Sequence, residues 1–161
     1  MVDTLTPRER SARMSLIRGK HSKPEIIVRR LVHSMGYRYA LHSRDLPGKP
    51  DLVFRIRGRV IFVHGCFWHR HASKRCRLAR LPKSRPEFWV PKLESNRLRD
   101  IHNQKLLRKA GWKILVVWEC QLGNKEQLEN RLRRFLEGSN ASDRAIRRSR
   151  GIGPRRKPSR F

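Results

Sequence analysis

The stretch "VHGCFWHRH", Val63 to His71, crowds histidines, a cysteine and two large aromatics behind an apolar run. An imidazole titrates near neutrality and serves as general base, general acid or metal ligand according to its neighbours. His64 and His69 are candidates for proton transfer. Upstream, "KPDLVF" carries Asp51. A hard cation such as magnesium takes one or two carboxylates and keeps water and substrate phosphate as its other ligands. Asp51 suits that role, with Glu25 as a second acid. Read singly, Glu25 is a helix-capping residue and Asp51 a strand opener paired with an arginine.

The three cysteines, Cys66, Cys76 and Cys120, are an odd number, spread over two segments. In a reducing compartment they read as thiols or metal ligands rather than disulfides. With His71 they make a Cys3His set, the donor chemistry of a closed tetrahedral structural zinc site. Such a staple would fix a basic loop of about 25 residues whose closure costs entropy. On spacing alone His69 serves as well as His71. Taken singly, Cys120 is a small buried hydrophobe and the other two are incidental thiols.

Phe67 and Trp68, with Trp89 at the far end of the same loop, are apolar side chains on a basic surface. Such rings wedge between base pairs, and a mispaired step opens most cheaply. Phe88 fits a small core under the loop better, and Trp112 and Trp118 belong with the apolar strand around them.

These groups need elements to hold them. "TPRERSARMSLIRG" opens as a helix, with Thr6 as N-cap and Glu9 closing a capping box. "SKPEIIVRRLVHSMG" repeats the signal through Ser22 and Glu25, with Ile26, Ile27, Leu31, Val32 and Met35 as its apolar face and Gly36 as its stop. "YRYALH" alternates as a strand. "DLVFRIRGRVIFVH" reads as a hairpin with a two-residue turn at Arg57-Gly58. That turn sets Ile56 opposite Arg59 and Asp51 opposite His64, on one face. A helix is expected from about Pro91 to Gly111, then a central strand "WKILVVWE", then a helix burying Leu128, Leu132, Phe135 and Leu136. The order α-α-β-β-β-α-β-α predicts an α/β sandwich around a small mixed sheet. One domain is expected over residues 1–138, and 139–161 reads as a basic, disordered tail.

Lysine and arginine total 40 against 13 acids in 161 residues, a formal net charge of +27. So large an excess repels itself and implies a polyanionic partner. Neither a membrane span nor an apolar signal core is apparent, and a cytoplasmic location is expected.

In order along the chain, "PE" at Pro24-Glu25, "LPGKPDLVF", "VIFVHGCFWHRH", "KSRPEFW", "NRLRD" and "GWKILVVWEC" resemble the very short patch repair (Vsr) DNA mismatch endonucleases, from about Arg10 to Glu137. The resemblance implies a restriction-endonuclease-like fold and nicking on the 5′ side of the T in a T:G mismatch, the product of 5-methylcytosine deamination. It implies that Asp51 and the main-chain carbonyl of Val63 ligate magnesium, that His69 is the general base, and that His64 and Glu25 support the metal–water network. It casts Phe67, Trp68 and Trp89 as intercalating rings, and Cys66, His71, Cys76 and Cys120 as ligands of a structural zinc. It also implies functional links to mismatch-repair proteins, a DNA polymerase and a cytosine-5 methyltransferase, with double-stranded DNA as substrate; because a single mismatch has no two-fold symmetry to mirror, a monomer is expected. Val63 stands where the family commonly has threonine, the stretch from His71 to Cys76 is longer than usual, and the lysine of the wider superfamily's pattern is absent. Two rival functions use part of the same inventory: a restriction-type nuclease on paired DNA, and a non-catalytic zinc module that recognises distorted DNA.

Overall fold

The computed structural model describes residues 6, 8, 9, 21–83 and 85–138. The N-terminal capping box forms: the Thr6 amide donates to Glu9 Oε2 at 2.8 Å and the Glu9 amide to Thr6 Oγ1 at 3.3 Å. The rest of that expected helix, residues 10–20, and the tail from 139 lie outside the described residues.

Helix α1 spans Lys23–Ser34 and is opened by the second capping box, with Ser22 as N-cap and Glu25 at the third position. Its buried face runs through Glu25, Val28, Leu31 and Val32. Ile27 is 40% exposed, so the expected face is rotated. The 3.6-residue period that buries Val28 and Val32 carries Ile27 about 100° from the first and about 140° from the second. Strand β1 is only Ala40–Leu41, shorter than the alternation in "YRYALH" suggests.

Strands β2 (Leu52–Phe54) and β3 (Arg59–His64) pair antiparallel, Leu52 with Ile61 and Phe54 with Arg59. The expected two-residue turn is wrong. A 3₁₀ turn over Arg55–Arg57 and a left-handed Gly58 (φ 57°) form the connection, and Ile56 is 80% exposed within it. A longer connector slides the register by two, so Asp51 comes level with Phe62 rather than His64. Asp51 itself precedes β2, and its carboxylate gathers with Glu25 and His42, whereas His64 gathers with His69 and Asp100.

Helix α2 runs Pro86–Lys109, starting five residues before the expected Pro91, which lies inside it. Pro91, the sixth residue, has no N–H to donate to the Glu87 carbonyl, so one backbone bond is missing in the second turn. Gly111, at φ 85°, stops it as expected. Strand β4 (Lys113–Trp118) pairs parallel with β3, from Arg59–Lys113 to His64–Trp118. It ends the β1-β2-β3-β4 sheet rather than occupying its centre. An apolar run marks a strand covered on both faces, not its place in the order, and the central, wholly buried strand is β3.

Helix α3 (Lys125–Glu137) buries Leu128, Leu132 and Leu136. It packs with α1 on one face of the sheet against Leu52, Phe54, Ile61, Val63 and Val117, with Phe135 partly buried beside them. The other face, Val53, Val60 and Phe62, meets Leu107 of α2, with Trp112 alongside. The result is a small mixed α/β sandwich. Buried Arg59 closes it, donating to the carbonyls of Leu136 and Gly138 at the end of α3. Among the described residues no helix is long and apolar enough to cross a membrane.

Leu132 is fully buried. Leu132→Ala should therefore cost about 2–5 kcal/mol in denaturant unfolding, while Ile27→Ala should change stability by less than about 0.5 kcal/mol.

Candidate active site and metal centre

The C-terminal end of β3 is the meeting point. Asp51, just ahead of β2, accepts a hydrogen bond from the Val63 amide on Oδ2 at 2.7 Å. In an extended strand a residue's N–H and C=O point to the same side, so the Val63 carbonyl faces the same edge as Asp51. Burial pushes the Asp51 carboxyl up to about 6, against the Val63 hydrogen bond and the opposing electrostatic influence of Arg29 and His69. Burial also pushes His64 down to about 3, aided by His69, so its imidazole is neutral at physiological pH.

His64 lies on the sheet face that α2 covers. Its ring stacks on His69, with centroids 3.9 Å apart and planes 9° from parallel. His69 Nδ1 lies 2.5 Å from Asp100 Oδ2 on α2. A carboxylate oxygen accepts in this pair, so His69 Nδ1 is the donor to Asp100. This is how a general base is oriented by a third group. His64, His69 and Asp100 offer ligand atoms within 4.8 Å of one another.

From the other layer, α1 contributes Glu25. Its Oε2 accepts from the Ser22 amide in the capping box, while its Oε1 meets Arg29 and lies 3.0 Å from His42 Nε2. Glu25, His42 and Asp51 form a second acceptor group within 4.8 Å. Glu25 thus both caps its helix and faces the site.

Three of these residues escaped the sequence reading. Asp100 had a legible signal: Leu93, Asp100 and Leu107 recur every seven residues, and both leucines are buried, so an acid on that stripe points inward. Arg29 follows Glu25 by one helical turn, a spacing equally suited to an exposed ion pair. His42 sits at a left-handed turn (φ 46°) with no periodic signal.

Beside this end, Cys66, His71, Cys76 and Cys120 bring their ligand atoms within 4.8 Å of one another. Cys120 Sγ is 3.5 Å from His71 Nδ1, and the Cys120 amide donates to Cys66 Sγ at 3.4 Å. His71 is the histidine in this cluster, and His69 is engaged by Asp100. Cys120 is exposed, which removes its reading as a buried hydrophobe. Burial pushes the Cys66 thiol up to about 12, so a thiolate there needs a compensating cation. Three sulfurs and one imidazole nitrogen suit zinc. Trp118 ties the two clusters together, stacking on His71 at 4.3 Å and meeting His64 edge-on at 5.3 Å.

Phe67, Trp68 and Trp89 form a half-buried cluster of edge-to-face rings, with centroids 5.0 to 6.1 Å apart. Asn96 holds the Trp68 carbonyl at 3.2 Å. A Cβ on Gly65 would meet the Trp68 ring at 3.3 Å, so glycine permits this close approach. Phe88 is not core: it is 44% exposed, with Arg85 and Lys92 over its ring.

The family model described as DNA mismatch endonuclease Vsr matches residues 2–75. The type II nicking enzyme V.XorIIP of Xanthomonas oryzae pv. oryzae is 50% identical over 139 residues, 86% of this chain and 100% of that protein. The type II nicking enzyme V.NmeAIP of Neisseria meningitidis serogroup A is 41% identical over 136 residues, 84% of this chain and 95% of that one. DNA mismatch endonuclease Vsr of Escherichia coli K12 is 35% identical over 147 residues, 88% and 92% respectively. The chain belongs to the Vsr family of DNA endonucleases.

The Asp100 contact makes one structural prediction. Nitrogen NMR should find His69 as the Nδ1–H tautomer, and Asp100→Asn should shift it towards the Nε2–H form. An Nε2–H tautomer in the unaltered protein would contradict the arrangement.

Proposed function

We propose that this protein is a magnesium-dependent endodeoxyribonuclease that nicks double-stranded DNA on the 5′ side of the T in a T:G mismatch. The observation that carries the reading is the His69–Asp100 pair, stacked on neutral His64 at the strand end that also holds Asp51. Family membership supports it, and one relative is named a DNA mismatch endonuclease. The net charge of +27 fits a polyanionic substrate.

Asp51 and the Val63 carbonyl would hold magnesium, whose chemistry when bound is Lewis-acid polarisation of the scissile phosphate. His69 Nε2 takes a proton from the attacking water, and Asp100 stabilises the resulting imidazolium. The water oxygen bonds to phosphorus, the bond to the 3′ oxygen breaks, and that oxygen is protonated from solvent. The products are a 5′-phosphate and a 3′-hydroxyl. His64 keeps the His69 ring in plane, and Glu25 closes the site from α1. Phe67, Trp68 and Trp89 would enter the duplex at the mismatch, where unstacking is cheapest. Zinc at Cys66, His71, Cys76 and Cys120 would fix the loop that carries both the base and the wedge.

In the cell this reaction would start very short patch repair of deaminated 5-methylcytosine. A cytosine-5 methyltransferase would set the sequence context, and mismatch-repair proteins and a polymerase would act with it. A lone mismatch lacks two-fold symmetry, which suits a monomer.

A labelled duplex with one T:G pair should be nicked in magnesium, and the T:A duplex spared. Equal cutting of both would favour a restriction-type enzyme. His69→Ala should lower the nicking rate about 10²–10⁴-fold, and Asp51→Ala should abolish nicking, both with DNA binding retained. Normal cutting by both variants would refute the assignment.

Cys66→Ser should reduce bound zinc from about one per chain to a small fraction and lower the melting temperature. Zinc content unchanged in that variant would rule out the cluster.

A further inference from the structure

A cavity of about 480 Å³ lies between the loop that carries His71 and Cys76 and helix α2, outside the histidine site. Small-ligand sites typically enclose about 300–1,000 Å³. Four cations line this one, Arg70, Lys74, Arg80 and Arg97, against a single acid, Glu94. Glu94 is engaged by two of them: its Oε2 accepts from Arg70 Nη1 at 3.0 Å and its Oε1 from Arg97 Nη2 at 2.6 Å. Lys74 and Arg80 are exposed, without an ion-pair partner among the described residues. The Cys76 amide donates to the Ser73 carbonyl at 3.0 Å, a turn within the lengthened His71–Cys76 stretch that sets Lys74 at its tip. Zinc on three thiolates and an imidazole would add one net negative charge beside the cavity, and two positive charges would still remain. Like charges gathered around a concavity focus their field there and attract an anion.

Placement narrows the anion. Arg70 directly follows His69, and Glu94 and Arg97 lie on the helix that also carries Trp89, Asn96 and Asp100. From Arg97 to Asp100 that helix rises about 4.5 Å, while successive phosphates of one strand lie about 3.4 Å apart along the duplex axis. We propose that the cavity between loop 70–81 and α2 is a phosphate site, taking a backbone phosphodiester a step or two from the one cut at His69. The proposal rests on the reading of the chain as an enzyme that cuts double-stranded DNA. Glu94 holds Arg70 and Arg97 at the rim, and Lys74 and Arg80 supply the uncompensated charge. Such a contact reads no base and fixes the register of the duplex over the site.

The zinc-loaded full chain, without magnesium, is titrated against a labelled T:G duplex across a salt series and followed by fluorescence anisotropy. Lys74→Gln/Arg80→Gln should weaken binding about tenfold and lower the slope of affinity against salt by about two. Lys109→Gln/Lys113→Gln removes the same charge from exposed positions at the opposite end of β4 and should weaken binding less than about twofold. Equal losses in the two variants would reduce the cavity to bulk charge and overturn the proposal. Inorganic phosphate binding, followed by phosphorus NMR, that the loop variant loses while duplex binding stays unchanged would overturn it too, by making this a free-phosphate site. A complete lack of duplex binding by the unaltered protein would instead overturn the reading of the chain as an enzyme acting on that DNA. Should the loop variant lose zinc, Arg97→Gln decides: a slope lowered by about one supports the site, and an unchanged slope refutes it.

Discussion

Everything at the functional end depends on the parallel pairing of β3 with β4. The ladder from Arg59–Lys113 to His64–Trp118 brings two segments more than fifty positions apart in the chain to a common stop. The loop leaving His64 and the 3₁₀ turn leaving Trp118 must then start side by side. Cys66 and Cys120 meet for that reason, and the Cys66 amide finds Glu119 at 3.3 Å. Trp118 lands between His64 and His71, so the cysteine cluster and the histidine stack share a wall. Parallel strands need a crossover, and α2 is that crossover. It brings Asp100 to His69 on the same pass. One backbone register thus positions both clusters.

Electrostatics divides the molecule in two. Its surface is overwhelmingly basic, while acids are few and several are turned inward: Glu25 is buried, and Asp51 and Asp100 are partly so. Each inward acid has a defined partner: the Val63 amide for Asp51, His69 for Asp100, and Arg29 with His42 for Glu25. Buried charges persist only when paired or hydrogen-bonded. The histidines differ for the same reason. His64 is sealed among rings and stays neutral, whereas His69 has a carboxylate on one nitrogen and presents the other.

Much of this was legible in the residues themselves. The capping boxes at Thr6 and Ser22 follow from local hydrogen bonds, and the helix stop at Gly111 from a positive φ that glycine tolerates. The three cysteines of the cluster were readable because they share a donor chemistry, whereas spacing alone left His71 and His69 as equal candidates. The expected meeting of Asp51 with His64 across the hairpin failed with the turn, and Asp51 gathers with Glu25 and His42 instead. The position of Pro91 and the order of the strands were not legible. A proline near a helix start is compatible with either side of the boundary, and an apolar run fits a strand at the centre or edge of a covered sheet.

By itself the sequence determined the elements, the charge and the kinds of atoms available for chemistry, because those depend on neighbours a few residues away. Only the tertiary structure decided which atoms meet. Asp100 beside His69, His42 and Arg29 around Glu25, and Phe88 turned outward all depend on how layers stack over the sheet. Such contacts join residues far apart in the chain, and their geometry comes from strand register and helix packing rather than from any local pattern.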